Sequence, residues 1–365
     1  YRHPSNPAVG TFAREHEDDV AFHAFLQFHA DRGLAAAQRA ARDAGMAVGL
    51  IADLAVGTDG GGSHGWSRQE ETLIGLSVGA PPDLLNTKGQ NWGITAFSPR
   101  GLQEHGFAAF IEMLRATLRH AGGVRIDHAM GLRRLWVVPD GAAATEGAYL
   151  SLPARDLLRL AALESQRHRA IVLGEDLGTL PEGFQEELID AGVLGMRVLW
   201  FEQGEDGSFK PPATWSREAL GMTTTHDLPT VAGWWSGRDI FWRHKIALLP
   251  DDNAVRSAQE SRVQERDRLW AAMQESGAAH GDAPPADAPT PAVDAAVRHV
   301  GGANCDLVLL PVEDMLGQTE QPNLPGTTDE HPNWRRRMPA TAASVLDRPD
   351  VADRLAALAQ ARRPS

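Results

Sequence analysis

The stretch GVRIDH, residues 123–128, decides the fold. Val124 and Ile126 alternate with Arg125 and Asp127, so a strand sends the apolar pair to one face and the charged pair to the other. Two charges on one face of a core strand are tolerable only where that face lines a polar cavity. Five more apolar runs carry carboxylates at or near their ends. They are MAVGLIADLAVG (46–57, Asp53), AIVLGED (170–176, Glu175 and Asp176), GMRVLWFE (195–202, Glu202), GMTTTHD (221–227, Asp227) and CDLVLLPVED (305–314, Glu313 and Asp314). Between these strands lie helical patterns. Residues 103–121 place Phe107, Phe110, Ile111, Leu114 and Leu118 at helical spacing and stop at Gly122-Gly123, which reads as a cap. TLPE (179–182) has capping-box spacing and opens a helix ended by Gly192, and residues 154–168 and 340–362 also read as helices. Such alternation predicts an α/β fold in which ligands bind beyond the carboxyl ends of the strands, here an acidic cleft.

Two segments break the rhythm. Residues 57–102 are long and rich in Gly, Pro and Trp, which predicts an active-site loop or insertion. Residues 273–295, rich in Ala, Pro and Asp, read as a low-complexity, mobile surface loop. The first twelve residues read as loop, and a start at Tyr1 rather than Met suggests a fragment.

A net charge of −13 argues against nucleic acid, whose binding needs a basic face. No apolar run reaches the roughly 20 residues of a membrane span, and no signal-peptide core is visible. The single cysteine, Cys305, excludes an internal disulfide and fits a reducing compartment, so the cytoplasm is expected. A carboxylate after a strand is often only a helix cap, but the set in succession points to chemistry. Two carboxyl groups at the right separation cleave glycosidic bonds, one attacking the anomeric carbon and the other protonating the leaving oxygen. Arg125 would keep Asp127 ionised, and a carboxyl in apolar surroundings would serve as acid. Asp and His at strand tips also suit a divalent cation, yet adjacent Asp127 and His128 diverge in a strand and no second histidine has helical spacing near a tip. Sugar rings also need aromatic platforms, for which Trp66, Trp92, Trp136, Trp234 and Trp235 are candidates.

Taken in order, IADLAVG, VGAPPDLLNTKGQNWGITAFSPRGL, VRIDHAMGLRRLWVVPDG, YLSLPARDLL, ALESQRHRAIVLGEDLGTLPE, MRVLWFE, TTTHDLPTVAGWW and NLPGTTDEHPNWRRRM resemble the amylomaltases. These are the 4-alpha-glucanotransferases of glycoside hydrolase family 77, and the resemblance is to their longer bacterial form. It implies a (β/α)8 TIM barrel of the α-amylase clan, incomplete here because six strands are found where eight are needed and IADLAVG is similar to the third. It also implies Asp127 as nucleophile, Glu175 as general acid/base and Asp227 as the third carboxylate that binds sugar hydroxyls. Arg125 and His226 match residues lining the donor site, Asp83, Gln90 and Trp92 match a flexible covering loop, and Asn323 matches a further sugar contact. The implied substrates are α-1,4-glucans and maltooligosaccharides, with glucose or a maltooligosaccharide as acceptor and neither metal nor cofactor. A glucan hydrolase, or a glucan-binding remnant without turnover, are the alternative expectations.

Overall fold

The computed structural model describes residues 1–82 and 88–363. The chain forms two compact units, Tyr1–Gly195 and Met196–Ser365.

In the first unit GVRIDH does form a strand, Gly123–Ile126, at the centre of a parallel sheet between Ile51–Leu54 and Ile171–Gly174. Val124 and Ile126 are buried, and Arg125 lies opposite Asp53 in the register. The helices Ala108–Leu118 and Ala154–His168 share this core through Phe110, Leu114, Leu118, Leu157, Leu158 and Ala161. Buried parallel strands covered by helices read as continuous apolar runs, which is why these elements were legible.

Four strands were not anticipated. Gln90–Ile94, Leu76–Ala80, Arg134–Pro139 and Ala148–Ser151 form, in that order, an antiparallel sheet around Val78, Leu135 and Val137. Residues 57–102 thus hold strands and the helix Pro99–Glu104 as well as loop. Gly79 shows why the strand pattern was hidden, since any side chain there would collide with the Gln90 carbonyl.

The helix expected over 103–121 is two helices. Pro99–Glu104 and Ala108–Leu118 are separated where Gly106 and Phe107 both turn left-handed, at φ 59° and 61°. Gly122-Gly123 is not its cap. Gly123 opens the strand, and Gly122 donates to the Leu50 carbonyl at 2.8 Å so close to Val48 that a Cβ would overlap its carbonyl oxygen. The signal at 179–182 is likewise displaced, because the helix starts at Phe184, after left-handed Gly183. The N-terminus is helical rather than loop: Asn6 caps Pro7–Glu15, accepting from the Ala8 amide at 2.9 Å, and Glu17–Asp43 follows. Near the C-terminus the expected 340–362 helix is confined to Pro349–Ala361.

In the second unit the fully buried strand Ala219–Met222 runs parallel to Leu307–Leu309 and has Gly195–Val198 on its other side. Its core holds Trp215, Trp235, Leu269, Trp270 and Met273. Asp239 and Arg262 form a buried bidentate pair at 2.7 and 2.8 Å beneath Trp234. Residues 273–295 are not a surface loop throughout. Met273 lies in the last turn of a helix, Asp252–Glu275, Thr290 begins another, Thr290–Gly301, and Ala278, Ala279, Ala292 and Val293 enter the core. The indoles of Trp235 and Trp270 donate to the carbonyls of Pro284 and Gly281 at 3.1 and 3.0 Å. Small alanines fill the space between large tryptophans, so low apolar bulk does not keep the two ends of this segment out of the core. Among the described residues no helix is long and apolar enough to cross a membrane.

Candidate active site

The first unit brings four of the sequence-predicted residues to neighbouring strand ends. Arg125 projects from the central strand between two carboxylates, donating to both oxygens of Asp53 at 2.7 and 2.9 Å and lying 2.8 Å from Asp127. The period of two foretold that Arg125 and Asp127 share a face; the role of Asp53 in fixing the guanidinium follows only from the register. The Asp127 amide continues the sheet by donating to the Leu54 carbonyl at 2.9 Å.

Glu175 stands at the end of the next strand, its amide donating to the Ile126 carbonyl at 3.0 Å. Its carboxylate accepts from the amides of His128 at 2.9 Å and Leu177 at 2.8 Å. Burial raises its pKa above the ordinary value; the Asp127 charge adds to the rise, whereas the two amides and Arg125 oppose it. The structure therefore contains one carboxyl biased toward the protonated form and, nearby, one held by a cation.

His128 has left-handed backbone, φ 46°, which turns the chain back so that its amide reaches Glu175. Its imidazole is half-buried, and this desolvation lowers its pKa; it meets the edge of Trp92 with ring centroids 5.4 Å apart. Trp92 in turn donates from its indole to the Gln90 side chain at 3.2 Å, both residues lying on Gln90–Ile94. Asp83 lies outside the described residues.

The second unit carries the other predicted residues on its own scaffold. After Ala219–Met222 the chain passes through three threonines to His226 and Asp227. Asn323 donates to the Asp227 carboxylate at 2.6 Å, and its amide donates to the His226 carbonyl at 3.2 Å. The His226 ring nitrogen lies 3.3 Å from the other Asp227 oxygen. Asp314, also a strand-tip carboxylate, is wholly buried beneath this loop, accepting from the Thr223 hydroxyl and from the Val231 amide. It holds the loop at both ends. Glu202 pairs with Lys210, and Asp176 accepts from Gln185.

The tryptophans divide. Trp234 and Trp235 are core residues, correcting their candidacy as platforms, because they pack against Trp200 and Trp270. Trp136 stands edge-on to Tyr149 and donates to the Ala144 carbonyl at 2.9 Å. Trp66 donates to the Tyr1 carbonyl at 2.9 Å beside a cavity of about 660 Å³ that Asp59, Ser77 and Asn91 also line. Sequence reasoning missed Trp334, which is exposed and has its ring 5.3 Å from that of His226. Among the described residues no three His, Cys, Asp or Glu side chains group as metal ligands.

Residues 1–342 match the protein family described as 4-alpha-glucanotransferase. The chain is 40% identical over 339 residues to a 4-alpha-glucanotransferase of Mycobacterium tuberculosis, covering 92% of this chain and 46% of that protein. It is 32% identical over 356 residues to a 4-alpha-glucanotransferase of Haemophilus influenzae, covering 95% and 50% respectively. The chain thus spans about half the length of the curated relatives it matches. Its α/β fold is similar to the crystal structure of amylomaltase from Corynebacterium glutamicum, with a TM-score of 0.88, 31% identity and coverage of 96% of this chain and 51% of that one. It is similar, in fold alone, to the amylomaltase from Streptococcus agalactiae in complex with acarbose, with a TM-score of 0.78, 17% identity and coverage of 98% and 66%.

Proposed function

The chain belongs to the 4-alpha-glucanotransferase family, glycoside hydrolase family 77, and from that premise we propose that it moves α-1,4-glucan segments between maltooligosaccharides by a retaining double displacement. The observation that carries the reading is the contrast between Asp127, ion-paired to Arg125, and Glu175, whose burial favours its protonated form. In the first step the Asp127 carboxylate attacks the anomeric carbon as the glycosidic bond breaks, and Glu175 gives its proton to the leaving oxygen. In the second, Glu175 takes the proton of an acceptor 4-hydroxyl, which attacks the same carbon and releases Asp127. Asp227, with His226 and Asn323, holds hydroxyls of the donor sugar. Gln90 and Trp92 belong to a segment that covers the glycosyl-enzyme; keeping water away favours transfer over hydrolysis.

The finer architecture belongs to the same reading. The two strand sets with parallel pairing are arcs of a (β/α)8 barrel of the α-amylase clan, which the described residues form only in part. Its substrates are α-1,4-glucans, with glucose or a maltooligosaccharide as acceptor. One buried cysteine, Cys305, suits a cytoplasmic setting. The protein incubated with maltotriose should yield glucose together with oligomers longer than the substrate. Glucose and maltose without any lengthening would replace transfer by hydrolysis.

A further inference from the structure

Trp334 combines two unfavourable features. Its side chain is a large apolar surface 65% exposed, and its backbone is left-handed at φ 58°, a region that bulky residues rarely occupy. Neighbouring bonds hold it there. The Trp334 amide donates to the Pro322 carbonyl at 2.9 Å. The side chain of Asn333 accepts from the Leu324 amide at 2.9 Å and donates to the Thr327 carbonyl and hydroxyl at 3.0 and 2.9 Å. On the other side Arg336 pairs with Glu320 at 3.1 Å. A tryptophan needed only for packing would be buried and relaxed.

The ring stands beside a polar cluster. It lies 5.3 Å from His226, at 49° to it, and the cluster continues through Asp227 to Asn323, whose amide is bonded to the His226 carbonyl. Glucose presents apolar C–H faces and a rim of hydroxyls, so an exposed indole next to a carboxylate, an imidazole and an amide matches both parts of its surface. We propose that Trp334 is a stacking platform for a glucose ring of the α-glucan whose hydroxyls are held by His226, Asp227 and Asn323. This rests on the transferase reading above and adds a binding residue to it. The left-handed backbone aims the indole at solvent beside His226, and the strain is the cost of that placement.

The test compares the protein with Trp334→Ala, Trp334→Phe and Trp334→Gly. Disproportionation of maltotriose gives KM and kcat, and thermal melting reports the fold. Trp334→Ala should raise KM about tenfold with kcat within about twofold, and Trp334→Phe should recover most of the loss. Trp334→Gly should raise KM as alanine does while melting no lower than the parent, because glycine accepts φ 58° without strain. If the parent lengthens maltotriose and Trp334→Ala keeps the parent's KM, the platform is wrong and the transferase reading stands. A melting temperature of Trp334→Gly well below the parent's, or a collapse of kcat at unchanged KM, would make the indole structural and overturn the platform. If the parent fails to lengthen maltotriose, the transferase reading fails. Calorimetric binding of maltoheptaose then decides the platform, supported by weaker binding to Trp334→Ala and overturned by equal or absent binding.

Discussion

At the scale of single residues, the division of labour between Asp127 and Glu175 comes from what surrounds each carboxyl. Glu175 is half-buried and carries a raised pKa, so the proton it donates is lost as the pH climbs through that value, and turnover should fall on the alkaline side with it. Glu175→Gln is expected to lower transfer from maltotriose at least ~100-fold yet to react with an α-glucosyl fluoride, whose leaving group needs no acid. Equal loss on both donors would remove the acid/base role. Arg125 bridges Asp53 and Asp127 with a planar fork, a geometry that an ammonium cannot reproduce. Arg125→Lys should therefore cost kcat at least ~10-fold despite keeping the charge. The alternation of GVRIDH was enough to find the Arg125 and Asp127 pair. Nothing in the letters around Trp334 could reveal a left-handed backbone or a ring beside His226, because both arise from contacts distant in sequence.

At the scale of elements, the runs of the first parallel sheet were legible because buried strands read as unbroken apolar runs, whereas GMTTTHD (221–227) shares only Gly221 and Met222 with the strand Ala219–Met222. Helix ends were less so. Residues 103–121 look continuous, yet Gly106 and Phe107 let the chain turn between two helices. Gly122-Gly123 resembles a cap in any one-dimensional reading, and its true purpose, passage of the backbone against Val48, needs three dimensions. Gly122→Ala should consequently destabilise the first unit, because the added methyl meets a carbonyl rather than a flexible side chain. Leu114, buried beneath the parallel sheet on Ala108–Leu118, offers a calibrating change: Leu114→Ala should lower unfolding free energy by about 2–5 kcal/mol in denaturant titration. A smaller loss would mean that the core collapses around the gap.

At the scale of the whole molecule, two buried titratable groups of the second unit make stability depend on pH in opposite directions. Asp314 has its pKa pushed up by burial to about 6 from an ordinary 3.8, so the folded state holds a proton that the unfolded state has released. Its contribution declines as pH rises through that window, by up to about 3 kcal/mol. His299 is pushed down by burial to about 4 from 6.5, so its contribution is lost as pH falls through that interval. The two slopes largely offset each other between roughly pH 4 and 6. Measured against the parent, Asp314→Asn should gain stability with rising pH across the window and His299→Gln should lose it. Parallel curves would show that these groups are not titrating with the fold. Composition made neither group visible; each depends on which carboxylate or imidazole the packing encloses.

The left-handed turn at His128 has a spectroscopic consequence. Its backbone amide donates directly to the carboxylate of Glu175. A nitrogen-labelled sample thus carries a built-in indicator of the proton on that acid, since the amide chemical shift follows the charge of its acceptor. The midpoint read at His128 should fall in Asp127→Asn, where the neighbouring negative charge is gone. Substrate, too, should leave its mark there. A resting carboxyl and one committed to a glycosidic oxygen would give the same peptide group two distinct frequencies.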